Sequence, residues 1–68
     1  MELKWEDGFM IKNSINDQTV ILSANREGLL SLAYQLMALA SETPGSHVHY
    51  DEYTSLVDGS NELIIEKI

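Results

Sequence analysis

The chain has 68 residues, enough for one domain spanning 1–68, and a domain this small buries only about 60% of the surface that its unfolded form exposes, so its core is thin. With no cysteine, it makes neither disulfides nor thiolate–zinc sites. Eleven acidic residues stand against four basic ones, for a net charge of −7, which opposes binding to nucleic-acid phosphates and speeds encounter with a basic partner.

At the start of the chain, Met1–Glu6 has neither the basic nor the apolar region of a signal peptide. Leu3 and Trp5 alternate with Lys4 and Glu6, the pattern of a half-buried strand. Asp7-Gly8 then predicts a hairpin turn, with Phe9–Asn13 as the return strand. A second turn is expected at Asn16-Asp17. Thr19–Ser23 is β-branched and apolar on both faces, which predicts a central strand covered on at least one side by a helix.

The helix follows. Asn25 suits its N-cap, and Glu27 places negative charge in the first turn, where the helix dipole favours it. Leu29, Leu32, Ala33, Leu36 and Ala40 recur at the spacing of one buried face, widened by Leu30 and Met37. Gly28 weakens a helix by about 1 kcal/mol against alanine; at this position it lets the first turn approach a sheet or a partner closely. The apolar stretch Leu29–Ala40 is interrupted by Ser31, Tyr34 and Gln35 and falls short of the roughly 20 apolar residues that cross a bilayer. A cytoplasmic protein without membrane contact is the expectation.

Pro44-Gly45 closes the helical region, and His47–Tyr53 alternates as a strand. Thr54–Asn61, around Asp58-Gly59, reads as a loop, and Glu62–Ile68 as a last strand. The resulting class is α+β in β-β-β-α-β-β order, with one amphipathic helix on one face of a mostly antiparallel sheet of four to five strands.

Candidate chemistry gathers in Ser46–Tyr53. On a strand, His47, His49 and Asp51 share a face, and two histidines with a carboxylate form a known metal-ligand set. The alternative is a strand with a wet outer face and Val48 and Tyr50 turned inward. No cofactor is called for. Neighbouring strand residues diverge, so Ser46 beside His47 makes no triad and Asp51 beside Glu52 no carboxylate pair. The chain reads as a non-enzyme that binds a protein. Asp51, Glu52, Tyr53 and Asp58 form the candidate partner-binding surface, an acidic loop bearing an aromatic anchor. Ile64, Ile65 and Ile68 offer a terminal edge through which a homodimer could pair.

The run NREGLLSLA at Asn25–Ala33, the segment Pro44–His49 and the tail Gly59–Lys67 resemble the small bacterial immunity-protein family numbered thirty-two. Together they span roughly the last two thirds of the chain, and the first 17 residues carry no resemblance. The family's His-x-His-x-Asp-Glu pattern is matched by His47, His49, Asp51 and Glu52. The resemblance implies a protein that protects a bacterium from a polymorphic toxin by binding and blocking it. Many toxin domains are basic nucleases, toward which an acidic inhibitor would be steered.

Overall fold

A computed structural model, which describes all 68 residues, has an α+β architecture. Its elements are β1 (Ile11–Asn16), β2 (Thr19–Ala24), α1 (Arg26–Ala40), β3 (His47–Tyr50) and β4 (Leu63–Glu66). β1 pairs antiparallel with β2, and β3 antiparallel with β4, as two separate two-stranded sheets. No helix is long and apolar enough to cross a membrane.

The single sheet of four to five strands expected from alternation is therefore not formed, for two local reasons. The first concerns residues 1–10. The turn at Asp7-Gly8 is present, with Gly8 at φ 79°, but the segment before it pairs with no strand. It lies on the helix instead, where side chains take its backbone groups. Glu6 N–H donates to Ser31 Oγ at 2.8 Å, and Gln35 Nε2 donates to the Lys4 carbonyl at 2.9 Å.

The second reason concerns the join between the hairpins. The free edge of β1 is met by the 57–61 segment: Val57 N–H donates to the Ile11 carbonyl at 2.9 Å and Asn61 N–H to the Asn13 carbonyl at 2.8 Å. Five residues of loop (57–61) thus run beside three of strand (11–13), because Gly59 turns the chain at φ 85°. A regular ladder needs matched spacing, so the hairpins are stitched by a loop rather than fused.

β2 is not the covered central strand expected. It is a terminal strand, and Thr19 to Ser23 are all exposed. The helix meets it only near its end. A Cβ built on Gly28 would lie 2.5 Å from the Met10 carbonyl oxygen and 3.1 Å from the Ala24 Cβ, so glycine is what allows this crossing.

The helix itself is capped as expected, with the Asn25 side chain accepting from Gly28 N–H at 2.8 Å. Its buried face is different. Gly28, Ser31, Leu32, Gln35 and Leu39 face inward, whereas Leu29, Ala33, Leu36, Met37 and Ala40 are exposed. The helix is rolled by roughly a quarter turn from the apolar stripe, by the 100° step between residues. Ser31 and Gln35 decide the roll, because each bonds the N-terminal segment and a buried polar group needs such a partner.

The core comprises Ile11, Leu32, Leu39, Val48, Tyr50 and Leu56, flanked by Leu3, Trp5, Phe9, Ala24, Leu63 and Ile65. Trp5 stacks on Phe9 at 4.5 Å and meets Tyr50 edge-on at 6.3 Å. The buried Tyr50 hydroxyl donates to Gln35 Oε1 at 2.7 Å. One side chain thus links β3, α1 and, through Gln35, the N-terminal segment.

Candidate functional site

On β3 the exposure alternates: His47 and His49 point to solvent, Val48 and Tyr50 to the core. The two imidazoles lie 4.9 Å apart, edge to face. His47 Nδ1 sits 3.1 Å from the Gly45 carbonyl, a contact that places a proton on that nitrogen. His49 Nδ1 is 3.6 Å from Glu62 Oε2, an ion pair once the ring is protonated.

Asp51 does not join them. β3 ends at Tyr50 rather than Tyr53, so the strand alternation that put Asp51 beside the histidines is broken. Its Oδ1 instead accepts from Tyr53 N–H, Thr54 N–H and the Thr54 hydroxyl, each at 3.0 Å. A carboxylate holding a turn in this way competes with strand continuation. No group of three or more His, Asp or Glu side chains is arranged to hold a metal ion.

The loop from Asp51 to Glu62 is organised by its own acids. The Asp51 carbonyl accepts from Ser55 and Leu56 N–H, and Glu52 Oε2 accepts from Gly59 N–H at 2.9 Å. Leu56 plugs the loop into the core, while Val57 and Asn61 tether it to β1. Asn13 strengthens the tether: its Nδ2 donates to the Asn61 carbonyl at 3.1 Å, and its N–H to Ser60 Oγ at 3.3 Å. The Asn13 Oδ1 atom is buried without a partner.

The four candidate residues therefore fall into two kinds. Tyr53, 88% exposed, and the exposed Asp58 stand free on the surface. The half-buried Asp51 and Glu52 shape the loop that presents them. All four belong to one loop, and its backbone is held by carboxylate-to-amide bonds, which are the stronger, charge-assisted kind. Sequence reasoning assigned Leu29, Leu36 and Met37 to the core, but the structure exposes them. It also missed Glu62 as the neighbour of His49, because the two meet across the β3–β4 pairing.

A family model described as Immunity protein 32 matches residues 19–68. That span covers β2, the helix, both later strands and the acidic loop, and leaves out the N-terminal segment and β1. No curated protein and no solved structure is similar enough to match the chain.

Proposed function

Because this chain belongs to the immunity protein 32 family, we propose that it neutralises a toxin by forming a cytoplasmic protein–protein complex, with the Asp51–Glu62 loop as the docking face. It acts by occupying the toxin rather than by chemistry. The observation that carries this reading is the loop braced by its own carboxylates, which holds an 88%-exposed Tyr53 among Asp51, Glu52 and Asp58. An exposed aromatic on a braced backbone is a typical anchor. Beside it, on a chain of net charge −7, the acids suit a basic toxin surface.

Charge reversal and truncation at the two free side chains test the reading without unravelling the loop. The partner to use is the toxin domain encoded beside this chain, and the measurement is its affinity by titration calorimetry at low and high salt. Tyr53→Ala is expected to weaken the complex by about 2 kcal/mol. Asp58→Lys is expected to slow association and flatten its salt dependence. If the double variant binds with unaltered affinity and salt slope, the loop is not the docking face.

A further inference from the structure

β2 has an uncovered hydrogen-bonding edge. It pairs only with β1, as the end strand of its sheet. The register Asn16↔Thr19 closes a two-residue turn. In such hairpins the closing pair exchanges both hydrogen bonds and the pattern then alternates. Thr19, Ile21 and Ser23 thus direct their backbone groups toward β1, and Val20 and Leu22 direct theirs outward.

Exposed edges are normally guarded by lysine, proline, a bulge or an inward charge. β2 reads Thr-Val-Ile-Leu-Ser-Ala and has none of these, and its register runs without a bulge. Val20, Ile21 and Leu22 are 59%, 42% and 41% exposed, an apolar stretch open on both faces and along its edge.

The charge distribution selects the occupant. Residues 11–26 carry Lys12 and Arg26 against Asp17, a local charge of +1, so the remainder of the chain carries −8. A basic partner finds no carboxylate on this strand, and β1 separates it from the acidic loop. A second copy finds an identical uncharged strand. A twofold axis at this edge also joins the molecules where their mutual repulsion is least. The C-terminal strand is less suited, because Glu66 lies within it and like charges facing across a pairing oppose it.

We propose that β2 pairs antiparallel with β2 of a second copy, about a twofold axis near Ile21 and Leu22. The result is a four-stranded sheet in the order β1-β2-β2-β1. Val20 and Leu22 of both copies lie together on one face and Ile21 on the other. The arrangement is isologous and closes on itself, and it leaves the acidic loop of each copy free.

Sedimentation equilibrium of the full chain tests this over a range of protein and salt concentrations. The expected result is a monomer–dimer equilibrium that tightens with added salt, as screening relieves the repulsion between acidic bodies. Leu22→Lys is expected to weaken the dimer at least tenfold with unchanged far-ultraviolet circular dichroism, while Met37→Lys on the exposed helix face leaves it intact. A wild-type chain that stays monomeric overturns the proposal. So does a dimer indifferent to Leu22→Lys, and so does a monomer whose toxin affinity falls with Leu22→Lys, which assigns the edge to the toxin. Should Leu22→Lys not fold, amide exchange of the wild type replaces it. Protection of the Val20 and Leu22 amides that rises with protein concentration supports pairing, and protection independent of concentration overturns it.

Discussion

Asn25 does the work of several residues. Its Oδ1 accepts from Gly28 N–H at 2.8 Å and from Met10 N–H at 2.9 Å. Its Nδ2 donates to the Gly8 carbonyl at 2.9 Å, and its backbone N–H to the Met10 carbonyl at 3.1 Å. It therefore caps the helix and also clamps the chain entering β1. An ordinary N-cap is worth about 1 kcal/mol, and the added bonds to Gly8 and Met10 raise the loss here. Asn25→Ala is expected to lower stability by about 2–3 kcal/mol in urea denaturation. Asn25→Asp, which keeps both acceptor contacts and loses the donor to Gly8, is expected to fall between the two. Equal stability of all three proteins would show that the clamp contributes nothing. The cap was legible from Asn25 and Glu27 alone; the clamp was not, because Gly8 and Met10 lie 15 or more residues away in the chain.

At the scale of the element, the helix shows how a local rule is overruled. Alanine propagates a helix better than glycine by about 1 kcal/mol, so Gly28→Ala ought to stabilise α1 taken alone. In the folded chain the new Cβ would lie 2.5 Å from a backbone oxygen and 2.9 Å from Ile11 Cγ1. Backbone cannot move aside as a side-chain tip can, and overpacking of this kind costs typically 1–3 kcal/mol. Gly28→Ala is expected to lower the thermal midpoint despite its better propensity; a raised midpoint would mean that the helix and the hairpin can separate freely. The buried face is overruled in a similar way. Leucines at 29 and 36 keep perfect helical spacing, yet Ser31 and Gln35 go inside because the Glu6 amide and the Lys4 carbonyl need partners there.

At the scale of the whole molecule, Gln35 and two tyrosines tie the N-terminal segment to the core. The Tyr34 hydroxyl donates to Glu6 Oε1 at 2.9 Å while Lys4 Nζ sits over the Tyr34 ring. The hydrogen bond to Glu6 foremost, then desolvation, raises the Tyr34 pKa above the ordinary value of 10.0. Burial raises that of Tyr50, which is 1% exposed. A phenol whose folded pKa exceeds its unfolded pKa adds stability that is complete below the unfolded value and is lost as pH rises through the folded one. The denaturation midpoint is thus expected to hold steady as pH approaches about 10 and to fall beyond it. Tyrosinate absorbance from Tyr34 and Tyr50 should appear late, alongside unfolding. Titration of the Tyr50 phenol itself at the ordinary value, with no accompanying loss of stability, would contradict the buried Tyr50–Gln35 link.

Local patterns in the sequence determined the α+β class, the helix with its Asn25 cap, the turns at Asp7-Gly8 and Pro44-Gly45, and the inward Val48 and Tyr50 opposite outward His47 and His49. Each is a property of a few adjacent residues, set by backbone dihedrals and by which groups water will accept. The residue runs at Asn25–Ala33, Pro44–His49 and Gly59–Lys67 carried the family resemblance. Only the tertiary structure decided that two hairpins replace one sheet, that the helix buries Ser31 and Gln35 alongside Leu32 and Leu39 in place of Leu29 and Leu36, and that Asp51 and Glu52 brace the loop around Tyr53. Those outcomes hang on which distant amide or carbonyl a polar side chain finds, and hydrophobic periodicity carries no record of that partner.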